Sequence, residues 1–471
     1  MPRISFRNKK IAILGASVEG LDSSKFFISE GAWVYCCDRR SYFEVVASQP
    51  EFRNLNLTFI TGPKYLENLN QFELIVRTPG MNINTHEIVK AQKHGQEVTT
   101  LTKLFFKLCE APIIGVTGTK GKGTTTTLIG EMFRSFGFTT YVGGNVGIPL
   151  LSIVRTINPL DHVVLELSSF QLEDMTQSPH IAVLLNITQD HLANSDPNAT
   201  NYHKTLDLYR AAKAQIVNYQ TQDDYCVINA DYEVSQVLAN NSRAQKLYFS
   251  KTMQVKGAYV ENNRLILSID AALKQVIDVS KLKLRGRHNW ENVLAATVVA
   301  GIEGISIVTM RQVLTEFKGL EHRLEFVQEI NGVKYYNDSF STTPETAIAA
   351  IKTFCEPIIL IVGGSDKGAN YSILAETIIN ARVKSLIYIG EMGSKIVMEV
   401  ENLVNKNSRT LTTRFTKGGN TMEEIVSQAQ KLAETGDVVV LSPACASFDM
   451  FANYMERGRL FKYYVHKIPK K

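Results

Sequence analysis

The apolar positions of this chain gather into short, nearly unbroken runs. Each is closed by glycine or polar turn residues and followed by a helical spacing of apolar side chains. KIAILGAS (10–17) is the first run; IIGVTG (113–118), HVVLELSS (162–169) and AVLLNIT (182–188) follow in the middle, and IILIVGG (358–364), SLIYIG (385–390) and DVVVLSP (437–443) come late. A strand covered on both faces has no solvent side on which to alternate, so such runs interleaved with helices predict parallel sheets between helical layers. Fresh strand–helix series begin near residue 100, before LTKLFFKLCEAPIIGVTG, and near residue 319, at FKGLEHRLE. The expected fold class is therefore α/β, with three domains in series at 1–100, 101–319 and 320–471. No internal repeat, low-complexity tract or heptad seam is visible.

A chain of 471 residues suits about three domains of roughly 150 residues each. With 44% apolar and 21% charged residues, it has the balance of a globular protein rather than a disordered one. The net charge of +5 is mild, and Lys and Arg form no block beyond the terminal PKK, so nucleic acid is not an expected partner. The balance suits an anionic substrate, but ordinary surface charge accounts for it equally well. No uncharged apolar run approaches the roughly 18 residues of a membrane span, and the N-terminal MPRISFRNKKIAILGAS lacks the features of a signal peptide. Cys36, Cys37, Cys109, Cys226, Cys355 and Cys445 make no CxxC pair or zinc-spaced cluster, the scatter expected of reduced thiols in a cytoplasmic enzyme.

Candidate chemistry concentrates where strands end. GVTGTKGKGTTTT (115–127) joins a strand to a helix through Gly118, Thr119, Lys120, Gly121, Lys122, Gly123 and Thr124. The backbone N–H groups of such a loop ring an anion, the helix N-terminus adds positive potential, and Lys122 reaches the outer phosphates. The strand–loop–helix context makes this far more specific than a glycine-rich turn with a surface lysine. A hydroxyl usually follows the lysine; here Gly123 does, so metal binding would pass to Thr124, Thr125 or water.

In LELSSFQLE (165–173), Glu166 closes a strand at the carboxyl edge of a parallel sheet, where a carboxylate suits magnesium, and Ser168, Ser169 and Gln171 are expected to form a polar lip. In NITQDHLANS (186–195), Asp190 and His191 hold the same kind of position, open to a metal or substrate role as well as a structural one. YRAAKAQI (209–216) sets Lys213 on a helix among small and apolar neighbours. Burial disfavours a charged amine, and a neutral amine reacts with CO2 to give a carbamate, an anion able to hold magnesium. The residues alone favour an exposed helical lysine.

RGRHNWENVLAA (285–296) offers Asn289 and Asn292 to a purine edge or to helix capping. Arg323 in HRLEFV (322–327) can clamp phosphate. YYNDSFSTTPETA (335–347), GGSDKGANY (363–371) and SPACASFDMFANYMERG (442–458) bring Asp338, Lys367 and several hydroxyls to strand ends of one domain, the place of a binding crevice. Each loop taken alone is also ordinary turn chemistry.

In this order, GTKGKGTTTT, GGNVGIP (143–149), LELSSFQLE, NITQDH, YRAAK, GRHNWEN, HRLE, NDS and SPACAS resemble the Mur ligase family over nearly the whole chain. They are most similar to its branch that adds D-glutamate to UDP-N-acetylmuramoyl-L-alanine. The resemblance implies a Rossmann-like N-terminal domain for the UDP-sugar, a central P-loop ATPase domain and a Rossmann-like C-terminal domain for the amino acid. It implies ATP, two Mg2+ ions, UDP-N-acetylmuramoyl-L-alanine and D-glutamate as ligands of an ADP-forming amide ligase. Such an enzyme would act as a cytoplasmic monomer in peptidoglycan precursor synthesis, through an acyl phosphate.

Residue by residue, the resemblance sets Lys122 on the ATP phosphates, with Gly118 to Thr124 around them. Glu166 and His191 would hold the two magnesium ions, with Thr124 and a carbamylated Lys213 assisting. Asn292 would meet adenine, and Arg323 and Asp338 would face the nucleotide from the third domain. Asn145 and His191, beside Ser168 and Gln171, would touch the muramoyl substrate. The loop GASVEG (15–20), with Ser17 and Val18, and the segment Asp38, Arg39 and Arg40 would hold uridine diphosphate. Thr342, Lys367, Ser447 and Tyr454 match positions around D-glutamate.

Three departures stand out. Gly123 replaces the family's usual Ser/Thr, Phe340 follows NDS where a lysine commonly helps bind the glutamate carboxylate, and the stretch between His191 and YRAAK is long. A ligase for another amino acid or acceptor, such as a folate, and an ATP-binding regulatory protein without turnover are the alternatives. GASVEG with DRR, and SPACAS, favour a UDP-sugar; Glu166, His191, Lys213 and Asp338 together favour a working enzyme.

Overall fold

The computed structural model describes residues 4–144, 149–188, 202–270, 272–284, 286–287, 289–366, 368–406 and 412–469. These form two compact units that part between Thr315 and Glu316, with Lys283–Gly286 belonging to the second.

The first unit holds two sheets. β1 (Lys10–Leu14), β2 (Trp33–Asp38), β3 (Thr58–Thr61), β4 (Leu74–Arg77) and β5 (Glu97–Thr100) are all parallel, in the order 3-2-1-4-5 of a doubly wound sheet. The sequence of β1 shows no alternation because both of its faces are buried: Ile11 and Ile13 pack with Phe26 and Phe27, whereas Ala12 and Leu14 pack with Phe72 and Ile88.

The second sheet is built from β6 (Ile113–Thr117), β7 (Thr140–Gly144), β8 (His162–Glu166), β9 (Ile181–Leu184), β10 (Tyr225–Asn229), β11 (Gln245–Ser250), β12 (Gly257–Glu261), β13 (Arg264–Ser268) and β14 (Lys274–Asp278). Among the described residues its order is 14-13-12-11-10-9-6-8-7. β6 lies between β8 and β9, where the strand order reverses, which sets the following loop at a topological switch point. β13 runs antiparallel to both of its neighbours, β12 and β14, correcting the expectation of wholly parallel sheets. Asn262 and Asn263, at φ 48° and 60°, make the tight turn between β12 and β13, a conformation that asparagine tolerates. The two edges of this sheet each meet an arginine: Arg311 Nε donates to Val276 O of β14 (2.8 Å), and Arg134 Nε to Thr140 O of β7 (3.4 Å).

The second unit carries β15 (Glu325–Ile330), β16 (Val333–Asn337), β17 (Ile358–Gly363), β18 (Val383–Ile389), β19 (Arg414–Lys417) and β20 (Val438–Leu441), in the order 15-16-20-17-18-19. Among the described strands of this sheet only the β15–β16 hairpin is antiparallel, turning through Asn331 and Gly332 at φ 50° and 77°. The central β17 and β20 are buried along their full length. Among the described residues no helix is long and apolar enough to cross a membrane.

Candidate functional site

The loop after β6 is braced from β9. Thr119 N–H donates to Asn186 O (2.7 Å) and Lys120 N–H to Asn186 Oδ1 (3.0 Å). Gly121 precedes the helix Lys122–Phe136 with φ 89°, and a Cβ there would lie 2.2 Å from Asn292 Oδ1. Only glycine satisfies both the left-handed backbone and the close approach. A Cβ on Gly118 would lie 2.7 Å from Leu185 Cβ. Lys122 Nζ donates to Gly118 O and Thr119 O, both at 3.0 Å, and so stands over the loop. Gly123 and Thr124 are buried in the first helical turn, and Thr125 Oγ1 donates to Asn292 Oδ1 (3.3 Å). Asn292 packs against the loop, and its Nδ2 donates to Asn289 Oδ1 (2.8 Å).

Beside the loop, Glu166 ends β8 level with Val116 and is 2% exposed. Lys213 is not the exposed helical lysine that its neighbours in sequence favour. It is 1% exposed on the helix Leu206–Asn218, where Nζ donates to Gly118 O (2.9 Å) and Thr117 Oγ1 (3.3 Å) and lies 4.9 Å from the Tyr209 ring centroid. The Tyr209 hydroxyl pairs with Thr119 Oγ1 at 3.0 Å, tying that helix to the loop. Ala212 and Ala214, on either side of the lysine, are buried with it.

Ser168 and Gln171 make a capping box for the short helix Ser169–Leu172. Ser169 and Gln171 are buried. Ser169 Oγ meets His203 Nε2 at 2.9 Å, and the His203 ring stacks on Phe170 at 4.8 Å. Sequence reasoning missed His203, which lies outside any recognisable motif.

Gln171 Nε2 donates to Glu19 Oε1 (2.9 Å), on the helix that follows β1. Glu19 lines a cavity with Leu101, Phe105, Leu165, Leu167 and Gln171. Burial is the largest influence on its carboxyl and pushes its pKa up to about 7; the nearby Asp22 adds to this, while the Gln171 hydrogen bond and Arg77 oppose it. Arg77 is fully buried and pairs with Asp174 at 3.5 Å.

At the end of β1, Ser17 caps its helix by accepting from Gly20 N–H (3.3 Å), and Val18 and Arg39 are exposed. Asp38 Oδ2 accepts from Ala16 N–H (2.7 Å). Arg40 donates to both Asp38 oxygens at 2.9–3.0 Å and to Ala16 O at 3.0 Å, which fixes the loop between β1 and its helix. These hydrogen bonds hold the Asp38 carboxyl below its ordinary pKa despite partial burial, which acts the other way.

In the second unit, Asp338 follows β16 and is 2% exposed. It accepts from Leu324 N–H (3.0 Å), Ser341 Oγ (2.5 Å) and Ser442 Oγ (2.7 Å); burial outweighs these bonds and raises its pKa to about 6. The Arg323 guanidinium lies over the Phe340 ring, 4.3 Å from its centroid, and Phe340 meets Tyr454 edge-on at 5.2 Å. Thr342 is half-buried and Ser447 buried near the same strand ends.

Sequence reasoning also missed Arg457, which is fully buried. It donates to Ser339 Oγ and O (both 2.9 Å) and to Cys445 O and Ala446 O (3.2–3.3 Å), joining two strand-end loops to the last helix. Glu321, His322 and Glu325 converge, but Lys462 Nζ donates to both carboxylates at 2.6 and 2.8 Å, so an ammonium already balances them. Asn145, Asp190, His191 and Lys367 lie outside the described residues.

Comparison with known proteins accords with this arrangement. Residues 9–100 match the Mur ligase MurD-like N-terminal domain, 116–300 the Mur ligase middle domain, and 322–445 the Mur ligase glutamate ligase domain. The chain is 39% identical to the UDP-N-acetylmuramoylalanine--D-glutamate ligase of Acetivibrio thermocellus over 470 residues, covering 98% of this chain and 97% of that one. It is 40% identical to the enzyme of the same name from Clostridium kluyveri over 459 residues, covering 97% and 96%. Among solved structures, the UDP-N-acetylmuramate-alanine ligase of Thermotoga maritima superposes with a TM-score of 0.59 at 18% identity, covering 98% of this chain and all of that one, a likeness of fold. Matched in all three domain types and at full length by these relatives, the chain belongs to the Mur ligase family.

Proposed function

We propose that this chain is an ADP-forming amide ligase that joins D-glutamate to UDP-N-acetylmuramoyl-L-alanine in peptidoglycan precursor synthesis. The observation that carries the reading is the loop after β6. Two glycines leave no room for a Cβ, and Lys122, Lys213 and Glu166 gather at the same sheet edge. A backbone cradle with a lysine fits the phosphates of ATP, and a buried strand-end carboxylate fits Mg2+. Bound Mg-ATP would supply the phosphoryl group that activates the substrate carboxylate as an acyl phosphate; the amine of D-glutamate would then attack the carbonyl carbon, forming the amide bond as inorganic phosphate leaves.

The residues of the chain have separate tasks. The N–H groups of residues 118–124 and the helix dipole hold phosphate oxygens, and Lys122 neutralises charge that develops on the transferred group. Glu166 and His191 would hold the metal, with Thr124 standing in for the hydroxyl missing at Gly123. Lys213, buried against Thr117 and Gly118 beside the loop, is the proposed carbamylation site. Asn292 stands behind the loop as the proposed adenine contact. Arg323 and Asp338 serve the nucleotide, Ser17, Val18 and Asp38 to Arg40 the uridine diphosphate, and Asn145, Ser168 and Gln171 the muramoyl group. Thr342, Lys367, Ser447 and Tyr454 serve the amino acid. The enzyme acts as a monomer in the cytoplasm, a location that its free thiols support.

ADP release from the purified chain, measured with UDP-N-acetylmuramoyl-L-alanine and a panel of amino acids, tests this. Turnover with D-glutamate, lowered by several orders of magnitude in Lys122→Ala, is expected. Phe340 makes the panel decisive: turnover with another amino acid alone reassigns the substrate, and none with any amino acid, together with no ATP binding, ends the ligase reading.

A further inference from the structure

We propose that Phe340 is a positioning residue whose ring seats the Arg323 guanidinium for an anionic group of the substrates. The inference rests on the ligase reading, in which Arg323 meets an anionic substrate group. The 4.3 Å separation lies well within cation–π range. The platform is itself fixed, because Tyr454 meets Phe340 edge-on at an interplanar angle of 89°.

The backbone on either side of Arg323 is tied to the same loop. Phe340 N–H donates to His322 O (2.9 Å), and Leu324 N–H donates to Asp338 Oδ1 (3.0 Å). His322 and Leu324 sit at φ 64° and 45°, a left-handed state that is costly for side chains of their size and persists only where the surroundings impose it. The neighbours of Arg323 are thus held in an unfavourable conformation while its side chain is laid on a ring. Stacking engages the face of a guanidinium, whereas its hydrogen bonds to phosphate or carboxylate are made in the plane, so the two contacts are compatible.

The test compares Phe340→Leu and Phe340→Tyr in the full chain, each in the native and the Arg323→Lys background, by ADP release and thermal melting. Phe340→Leu should lower kcat/KM about 2- to 25-fold, the range of a cation–π contact, and Phe340→Tyr should restore most of the loss. In the Arg323→Lys background the effect of Phe340→Leu should shrink to less than about half on a logarithmic scale, as coupled residues require. If Phe340→Leu melts far below the native chain, Phe340→Met replaces it. Equal losses in both backgrounds, or equal losses for Leu and Tyr, overturn the inference while leaving the ligase reading intact. A native chain that releases no ADP removes both.

Discussion

Glu19 gives a measurable link between burial and pH. Its carboxyl titrates near 7 in place of 4.5, chiefly because burial disfavours the charged form. A carboxyl with a raised pKa binds its proton more tightly in the folded protein than in the unfolded chain. The resulting stabilisation is complete below pH 4.5 and is lost as pH rises through 7. At about 1.36 kcal/mol per pH unit, that interval amounts to about 3 kcal/mol. Glu19→Gln removes the charge and keeps an oxygen to accept from Gln171 Nε2. Above pH 7 the variant should therefore be more stable than the native chain by up to about 3 kcal/mol, and near pH 4.5 the two should converge. If the first unit, roughly 300 residues, melts as one body, the gain at pH 8 is about 5 °C. Thermal scans of the two full chains between pH 5 and pH 8, at constant ionic strength, measure it. A difference that does not change with pH, or a less stable variant at pH 8, would show that the carboxyl is not held neutral by its surroundings.

Other substitutions probe the remaining parts. Gly121→Ala should abolish measurable ATP binding in a calorimetric titration, because the new Cβ meets Asn292 Oδ1 at 2.2 Å in a left-handed backbone. Lys213→Ala should stop ADP release, and short carboxylic acids added to the assay should restore a fraction of it if a carbamate normally supplies the anion there. Arg457→Met should destabilise the second unit by about 3 kcal/mol or more, since it leaves Ser339, Cys445 and Ala446 carbonyls buried without their donor. Chemical denaturation followed by circular dichroism reads that change.

The strands legible in the sequence were those buried on both faces, because a continuous apolar run needs no partner to be recognised. β1, β6, β8, β9, β17, β18 and β20 are of this kind. The antiparallel extension was overlooked although VENNRLIL and EINGVKYY each set an asparagine-led pair between apolar stretches, a tight-turn signal as local as the phosphate loop. The phosphate loop was readable because backbone geometry forces its glycines. The buried state of Lys213, Arg77 and Arg457 was not, since their partners are main-chain oxygens or acids remote in sequence, and residue identity reveals nothing about a carbonyl. Phe340 was noticed only as a missing lysine; its stacking on Arg323 depends on how two loops fold together.

The arginines at the borders of the central sheet have a bearing on solubility. A terminal strand presents open main-chain groups on which another chain can add a strand, the first step of many aggregates. Arg311 and Arg134, from the helices Ile307–Glu316 and Lys122–Phe136, occupy carbonyls of β14 and β7 at those borders and place a positive charge where an incoming strand would have to dock. The nine strands described in this sheet thus end in electrostatic stoppers, which keeps so long a ribbon from growing further.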